Sequence, residues 1–262
     1  MKTAIVTGGS SGIGKAVAES LAKAGLKVYE FSRREIINEG ITHISADVTD
    51  EAAVEKAVLE VIEKEGHIDI LVNVAGMGIS GAIEYTSLED AKRQIDVNFF
   101  GMVITTKAVL KHMHAAKSGR IVNISSVAAP IPIPFQAFYS ASKAAINSYT
   151  AALVNEVAPY GITVTAVMPG DIASGFTDAR KKTIEGDAEY GGRISRSVML
   201  MERDERTGMS PNEAGIYIAK IALKEHVKPY YAIGLQYKAF CVIMKILPAR
   251  LSNKMIGMIY AK

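Results

Sequence analysis

Short apolar runs alternate with longer amphipathic stretches along most of the chain, and this alternation limits the possible folds more than any other feature. Residues 3–7, 27–31, 41–45, 69–73, 120–125 and 163–168 read as strands, each a brief apolar run bounded by polar or turn-forming residues. Residues 12–24, 50–65, 88–117 and 139–158 read as helices; in the first, Ala16, Val17, Leu21 and Ala24 recur at helical spacing. Gly25 stands where a C-cap belongs, and Asp50 and Glu51 stand where a helix dipole favours acids. Runs such as IDILV and RIVNI have no polar face, as expected of strands covered on both sides. The expected fold is one α/β domain, a doubly wound, Rossmann-like parallel sheet flanked by helices. Residues 174–208 show no clean periodicity and are expected to form a lid or binding loop. Ser210-Pro211 then opens a helix running to about 224, with Ser as cap and Pro in the first turn.

Composition narrows the function. With 49% hydrophobic and 22% charged residues the chain is not disordered. Cys241 has no second cysteine to pair with, which points to a reducing, cytoplasmic setting. No apolar run is long enough to span a membrane, and MKTAIVTGG has no signal-peptide core. All 27 acidic residues lie at or before Glu225, whereas six of the 30 basic ones follow it. The chain is therefore not broadly basic, and nucleic acid is not an expected partner. Residues 1–234 are read as the catalytic unit and 235–262 as an amphipathic helical extension. In the extension Phe240, Ile243, Met244, Leu247, Leu251, Met255, Ile256, Met258 and Ile259 fall at helical spacings, with a break at Pro248 and with Lys238, Lys245, Arg250 and Lys254 interspersed. It is open whether this tail caps a substrate mouth, joins subunits or lies on an anionic membrane surface.

Between the first strand and the first helix stands Thr7-Gly8-Gly9-Ser10-Ser11-Gly12-Ile13-Gly14. Glycines at 8, 12 and 14 allow a tight turn and a close approach of backbone to ligand. The N–H groups of the following helix then face an anion such as a pyrophosphate. Ser10 and Ser11 can add hydroxyl contacts to a phosphate.

The spacing T-G-x-x-x-G-x-G resembles that of the short-chain dehydrogenase/reductase family. The resemblance continues in order through Asp47-Val48, Asn73-Val74-Ala75-Gly76, Asn98, Ser126, Tyr139-x-x-x-Lys143 and Pro169-Gly170. It covers residues 3–174. It implies an oxidoreductase that uses a nicotinamide dinucleotide, works without a metal and assembles as a homodimer or homotetramer. Asp47 is then expected near the adenine, and Asn73, Ala75 and Gly76 near the adenosine ribose; Asp47 has a second reading as a helix N-cap. Pro169, Gly170, Ile172 and Ser174 are expected to orient the nicotinamide, and Asn98 to support a water chain leading to Lys143. Lys143 is also expected to hold the nicotinamide ribose.

At the end of the second strand an acid would select the free ribose of NAD, and an arginine the phosphate of NADP. This chain has Ser32-Arg33-Arg34 there, so NADP(H) is expected to be preferred, with NAD(H) possible. The other reading makes both arginines plain surface residues, with Glu30 on the ribose. Only a few residues separate Arg33 from the third strand, so the helix usual in the family is expected to be missing or a single turn.

Tyr139 and Lys143 share one helix face. An ammonium beside a phenol favours the phenolate, which would suit Tyr139 to shuttle a proton. Ser126, at the end of the fifth strand, is placed to steady a substrate oxygen, with Ser125 its rival. Pro130, Pro132 and Pro134 suggest an extended path that sets Ile131, Ile133 and Phe135 beside the reaction centre. The lid adds Phe176, Met199, Leu200 and Met201. The expected substrate is an apolar ketone or secondary alcohol, steroid- or lipid-like. A 3-oxoacyl-carrier-type reductase, a sugar-nucleotide epimerase and a non-catalytic NADP-binding protein are the rivals.

Overall fold

A computed structural model describes residues 1–35 and 38–261. In chain order its elements are β1 (Thr3–Thr7), α1 (Gly12–Lys23), β2 (Lys27–Ser32), β3 (Ile41–Ser45), α2 (Glu51–Glu65), β4 (Ile70–Asn73), β5 (Ile79–Ser80), α3 (Leu88–Ile95), α4 (Gly101–Ala116), β6 (Gly119–Ile124), α5 (Ala137–Val157), β7 (Ile162–Met168), α6 (Phe176–Ala179), β8 (Lys181–Lys182), α7 (Arg193–Arg206), α8 (Pro211–Ala222), β9 (Tyr230–Ala232), α9 (Leu235–Ile246) and α10 (Ala249–Tyr260). Seven strands form one parallel sheet in the order β3-β2-β1-β4-β6-β7-β9, and β5 pairs with β8 beside it.

Strand alternation divides the core in two. Ile5, Leu71, Ile121 and Val164 face Val54 and Val58 of α2, Val109 and Met113 of α4, and Leu153 of α5. Ala4, Val6, Val72, Val122 and Val167 face the other way, against Val17 and Leu21 of α1 and Ile218 and Ile221 of α8. Both faces are dry, which is why these strands read as unbroken apolar runs. The chain leaves β1 toward β2 and β3, then returns to place β4 on the other side. The carboxyl ends of β1 and β4 therefore part and leave a crevice at the switch point.

The structure corrects several expectations. The 88–117 helix is split by a wide turn at Asp96–Phe100, where the Gly101 N–H reaches back to the Asp96 carbonyl. Residues 174–208 are not an irregular lid: α7 fills much of the segment, burying Ile194, Val198 and Met201 on one stripe of an otherwise polar helix. The pairing of β8 with β5 pins the segment's start. The edge strand β9 was not anticipated, since three residues, YYA, show no useful period. Among the described residues between β2 and β3 there is no helix, only bends and a bridge from Asn38 to Ile41; Ile36 and Ile37 lie outside the description. The tail is two helices that meet at Pro248, as its spacing suggested; its last basic residue, Lys262, lies outside the described residues. Among the described residues no helix is long and apolar enough to cross a membrane.

Candidate active site

A cleft of about 980 Å³ opens at the carboxyl ends of the strands. One end is the glycine loop. Gly8 and Gly12 have φ of +69° and +54°, and a Cβ on Gly14 would stand 2.2 Å from the Gly8 carbonyl oxygen. Only bare backbone closes this turn. Ser11 occupies the N-cap position of α1 without capping it, so Gly12, Ile13 and Gly14 present uncapped N–H groups along the cleft wall. Thr7 Oγ1 accepts from Val74 N (3.0 Å) and Ala75 N (3.2 Å), tying the ends of β1 and β4 together, and Ala75 and Gly76 form the wall beyond.

Next to the loop, Ser32, Arg33, Arg34, Asp47 and Val48 line the cleft. Arg34 Nη2 donates to Ser11 Oγ at 3.2 Å and to Ser10 Oγ at 3.4 Å. Arg33 Nη1 stands 3.8 Å from Asp47 Oδ2. These four side chains gather two guanidiniums and two hydroxyls around one corner. The cap of α2 is Asp50, which accepts from Ala53 N at 3.0 Å, so the capping alternative for Asp47 fails. Asp47 instead folds its carboxylate onto Thr49 N and Thr49 Oγ1. Burial raises the Asp47 carboxyl, but the Thr49 bonds and the charge of Arg33 outweigh it, leaving the group below the usual carboxylate range. The alternative placing Glu30 on the ribose fails as well. Glu30 is fully buried beneath Gly9, paired with His43 and accepting from Ser32 Oγ.

At the far end, Ser126, Tyr139 and Lys143 converge on the cleft, carried by the end of β6 and by one face of α5. Lys143 Nζ donates to Ile124 O at 2.9 Å and lies 5.6 Å from the centre of the Tyr139 ring. Burial lowers Lys143 to about 8. Burial raises Tyr139 to about 12, against the pull of the Ser126 hydroxyl and of the Arg180 charge. The protein's own groups, the amine among them, therefore do not lower the phenol as expected. With the protein's own groups the phenol keeps its proton at neutral pH, because the cost of a buried anion exceeds what nearby donors return. Ser125, the rival to Ser126, spends its hydroxyl on the Lys143 carbonyl at 3.0 Å.

Two expected site residues do not line the cleft. Asn98 sits in the wide turn, accepting from Met77 N at 2.7 Å and donating to Met77 O and Ser142 Oγ. Its Oδ1 and Lys143 Nζ both come within 4 Å of where a Cβ on Gly76 would stand. Asn73 turns inward, donating to Thr106 and Asn123 in a buried polar network. Its side chain is therefore directed away from the expected ribose position.

Pro169, Gly170, Ile172 and Ser174 line the cleft as one segment. The proline-punctuated segment is turned rather than extended, with Ala129 N bonded to Ser126 O and Gln136 N to Ile133 O. Of its apolar residues Ile133 reaches the cleft, whereas Ile131 packs on Cys241 and Ile256, and Phe135 on Tyr190. Phe176 and Met201 also line the cleft; Met199 is 60% exposed and Leu200 is not on the wall, because helix α7 points them elsewhere. Residues the sequence did not single out join them: Asp171, Glu205 and, from the end of α10, Tyr260. Asp171 stood within the recognised Pro-Gly segment, but nothing in the sequence linked Tyr260 to the site.

A family model described as short chain dehydrogenase matches residues 2–185. A 3-ketodihydrosphingosine reductase of Bacteroides thetaiotaomicron is 42% identical over 225 residues, covering 85% of this chain and 84% of that one. A crystal structure of a short-chain dehydrogenase from Streptomyces avermitilis superposes with a TM-score of 0.85 at 29% identity, covering 96% of this chain and 95% of that one. The structure of ElxO with NADP bound gives 0.76 at 27% identity, covering 91% of this chain and 99% of that one.

Proposed function

The chain belongs to the short-chain dehydrogenase family and is an oxidoreductase of the nicotinamide-dependent kind; from that footing we propose that it reduces a ketone on a long apolar molecule, with NADPH as donor. The observation that carries the reading is the convergence of Ser126, Tyr139 and Lys143 on a cleft whose other end is the bare-backbone glycine loop. Gly8, Gly12, Ile13 and Gly14 would hold the pyrophosphate, and Pro169, Gly170, Ile172 and Ser174 the nicotinamide. When bound, the nicotinamide supplies or accepts the hydride. Tyr139, protonated at neutral pH, gives its proton to the substrate oxygen as that oxygen gains charge, and the ketone becomes a secondary alcohol. The Ser126 hydroxyl steadies the same oxygen. Lys143, held at about 8, is poised to return a proton to Tyr139 near neutral pH. Asn98 keeps the 76–78 backbone in place beside Lys143.

Support for NADP is the corner formed by Arg33, Arg34, Ser10 and Ser11, since guanidinium and hydroxyl donors suit a phosphate. Support for a lipid-like substrate is the apolar wall of Val127, Ala128, Ile133, Phe176 and Met201, together with the name of the Bacteroides relative. A panel of long-chain ketones, acyl-carrier thioesters, steroid ketones and sugars, followed by loss of reduced-nicotinamide absorbance, tests the reading. Long-chain ketones should turn over fastest; preferential turnover of acyl thioesters would favour the 3-oxoacyl reading, and no turnover would favour a non-catalytic binder. Arg34→Ala should weaken NADPH binding about 10–100-fold and leave NADH nearly unchanged, as loss of a charge-assisted bond requires. Equal effects would remove the NADP preference.

The tail we read as a cap on the catalytic unit 1–234, because Tyr260 lines the cleft and Arg193 Nε donates to Ala261 O at 2.8 Å. The outer side of α9 keeps Leu235, Val242 and Ile246 exposed beside Lys238 and Lys245, which supports peripheral contact with an anionic membrane surface. Co-sedimentation with anionic but not neutral vesicles tests that contact. A homodimer or homotetramer and a cytoplasmic setting rest on the family resemblance and on the unpaired Cys241; sedimentation analysis tests the first.

A further inference from the structure

One charge in the cleft has no use in the reaction as described. Asp171 follows directly on Pro169-Gly170 and lines the cleft. Its Oδ2 accepts from the Tyr237 hydroxyl, while among the described residues it forms no ion pair. Arg180, whose charge is felt at Asp171, is 3% exposed and pairs through Nη2 with Glu205, whose other oxygen accepts from Thr177. Arg180 thus spends one nitrogen on Glu205, while its buried Nε and Nη1 keep no hydrogen-bond partner and none of its nitrogens pairs with Asp171. Asp171 lines the same cleft as Tyr139 and Tyr260, and its charge raises both phenols. Burial pushes its own carboxyl up; the Tyr237 bond and Arg180 pull it down, but Glu205 and Asp204 add to the rise. A carboxylate kept in an apolar cleft without a cation is costly unless a ligand brings the cation.

We propose that Asp171 is a specificity-determining residue that receives a protonated amine beside the substrate carbonyl, so that the substrate class is the long-chain amino ketone. This rests on the reading of the cleft as a site of ketone reduction. An ammonium on the carbon next to the carbonyl would meet Asp171 while the oxygen meets Tyr139 and Ser126. The apolar remainder would run along Ile133, Phe176 and Met201 toward Tyr260. Tyr237 holds the carboxylate in place from α9, and its ring packs where a side chain on Gly170 would otherwise stand.

Three ketones of one chain length test this: the free amine, its N-acetyl derivative and the deamino compound, each with NADPH and the intact protein. The wild type should favour the free amine over the N-acetyl ketone in kcat/KM by about tenfold or more, the worth of a charge-assisted hydrogen bond. Asp171→Asn keeps an acceptor for Tyr237 but not the charge, and should collapse that preference to near unity. Tyr237→Phe removes the tether yet keeps the charge, and should retain most of the preference. Equal turnover of amine and amide by the wild type, or a preference unchanged in Asp171→Asn, would overturn the proposal while leaving ketone reduction standing. Failure to reduce any of the three would instead sink the ketone reading itself.

Discussion

At the glycine-loop end the cleft is made of main chain and short turns; at the other end it is made of side chains sent in from three distant segments. The glycine loop, the Thr7 clamp on Val74 and Ala75, and the open N-terminus of α1 all lie within a few residues of β1 and β4. The other end takes Ile133 from the segment before α5, Phe176 and Met201 from the segment after β7, and Tyr260 from the last turn of α10. The first end is a property of the sheet and tolerates almost no added atom. The second is a packing outcome, in which one side chain can be exchanged for another.

Substitutions can break or sharpen that contrast. The largest effect should come where the two ends meet. Tyr139→Phe should lower kcat by about 10²–10⁴, as loss of a general acid does, while cofactor affinity measured by calorimetry changes little. Gly14→Ala should test the rigid end. Its Cβ would collide with the Gly8 carbonyl oxygen, and neither main-chain atom can step aside. A loss of at least about 2 kcal/mol in denaturant unfolding, with failure to bind the dinucleotide, is expected from such overpacking. A variant that binds normally would mean the turn is softer than its contacts imply.

Lys143→Met addresses the buried ammonium by pH. The folded lysine sits at about 8 and its ordinary value is 10.5. Between those values the unfolded chain holds more protons, so this group makes stability rise with pH across that window and opposes folding below it. Tyr139 has the opposite sign only above pH 10, where the unfolded phenol ionises and the folded one does not. The Met variant should therefore be inactive yet more stable than the parent near neutral pH, by on the order of 2–3 kcal/mol. The gap should close as pH approaches about 10.5, where the unfolded lysine, too, loses its proton. Chemical denaturation at several pH values reads this directly. The smallest effect belongs to the exchangeable end. Tyr260→Ala should raise KM for a long-chain ketone about tenfold through lost apolar contact, with kcat within about threefold.

The same contrast explains what could be read in advance. Ser126, Tyr139 and Lys143 were legible because two lie one helical turn apart and the third ends a neighbouring strand. Arg34 was legible as a cation beside the glycine loop, yet its bonds to Ser10 and Ser11 depend on how β2 lies against the loop. The inward turn of the Asn73 side chain was not legible, because its position beside the loop says nothing of which way that side chain turns. Helix α7 escaped notice because only Ile194, Val198 and Met201 mark its buried stripe among arginines and acids. The phenol of Tyr139 was expected to be lowered and is raised, since desolvation depends on everything packed around it rather than on the lysine one turn away.

By itself the order of residues determined the parallel sheet, the glycine turn and the pairing of a tyrosine with a lysine on one helix face. The sheet and the helix pairing follow from backbone geometry repeated every two or every 3.6 residues, and the turn from residues without a Cβ. Only the tertiary structure decided that Tyr260 lines the cleft, that among the described residues Asp171 bonds a tyrosine hydroxyl there and forms no ion pair, and that burial raises the Tyr139 phenol. Those outcomes depend on contacts between segments far apart in the chain, and burial, which sets the strength of every charge, exists only once the segments have packed.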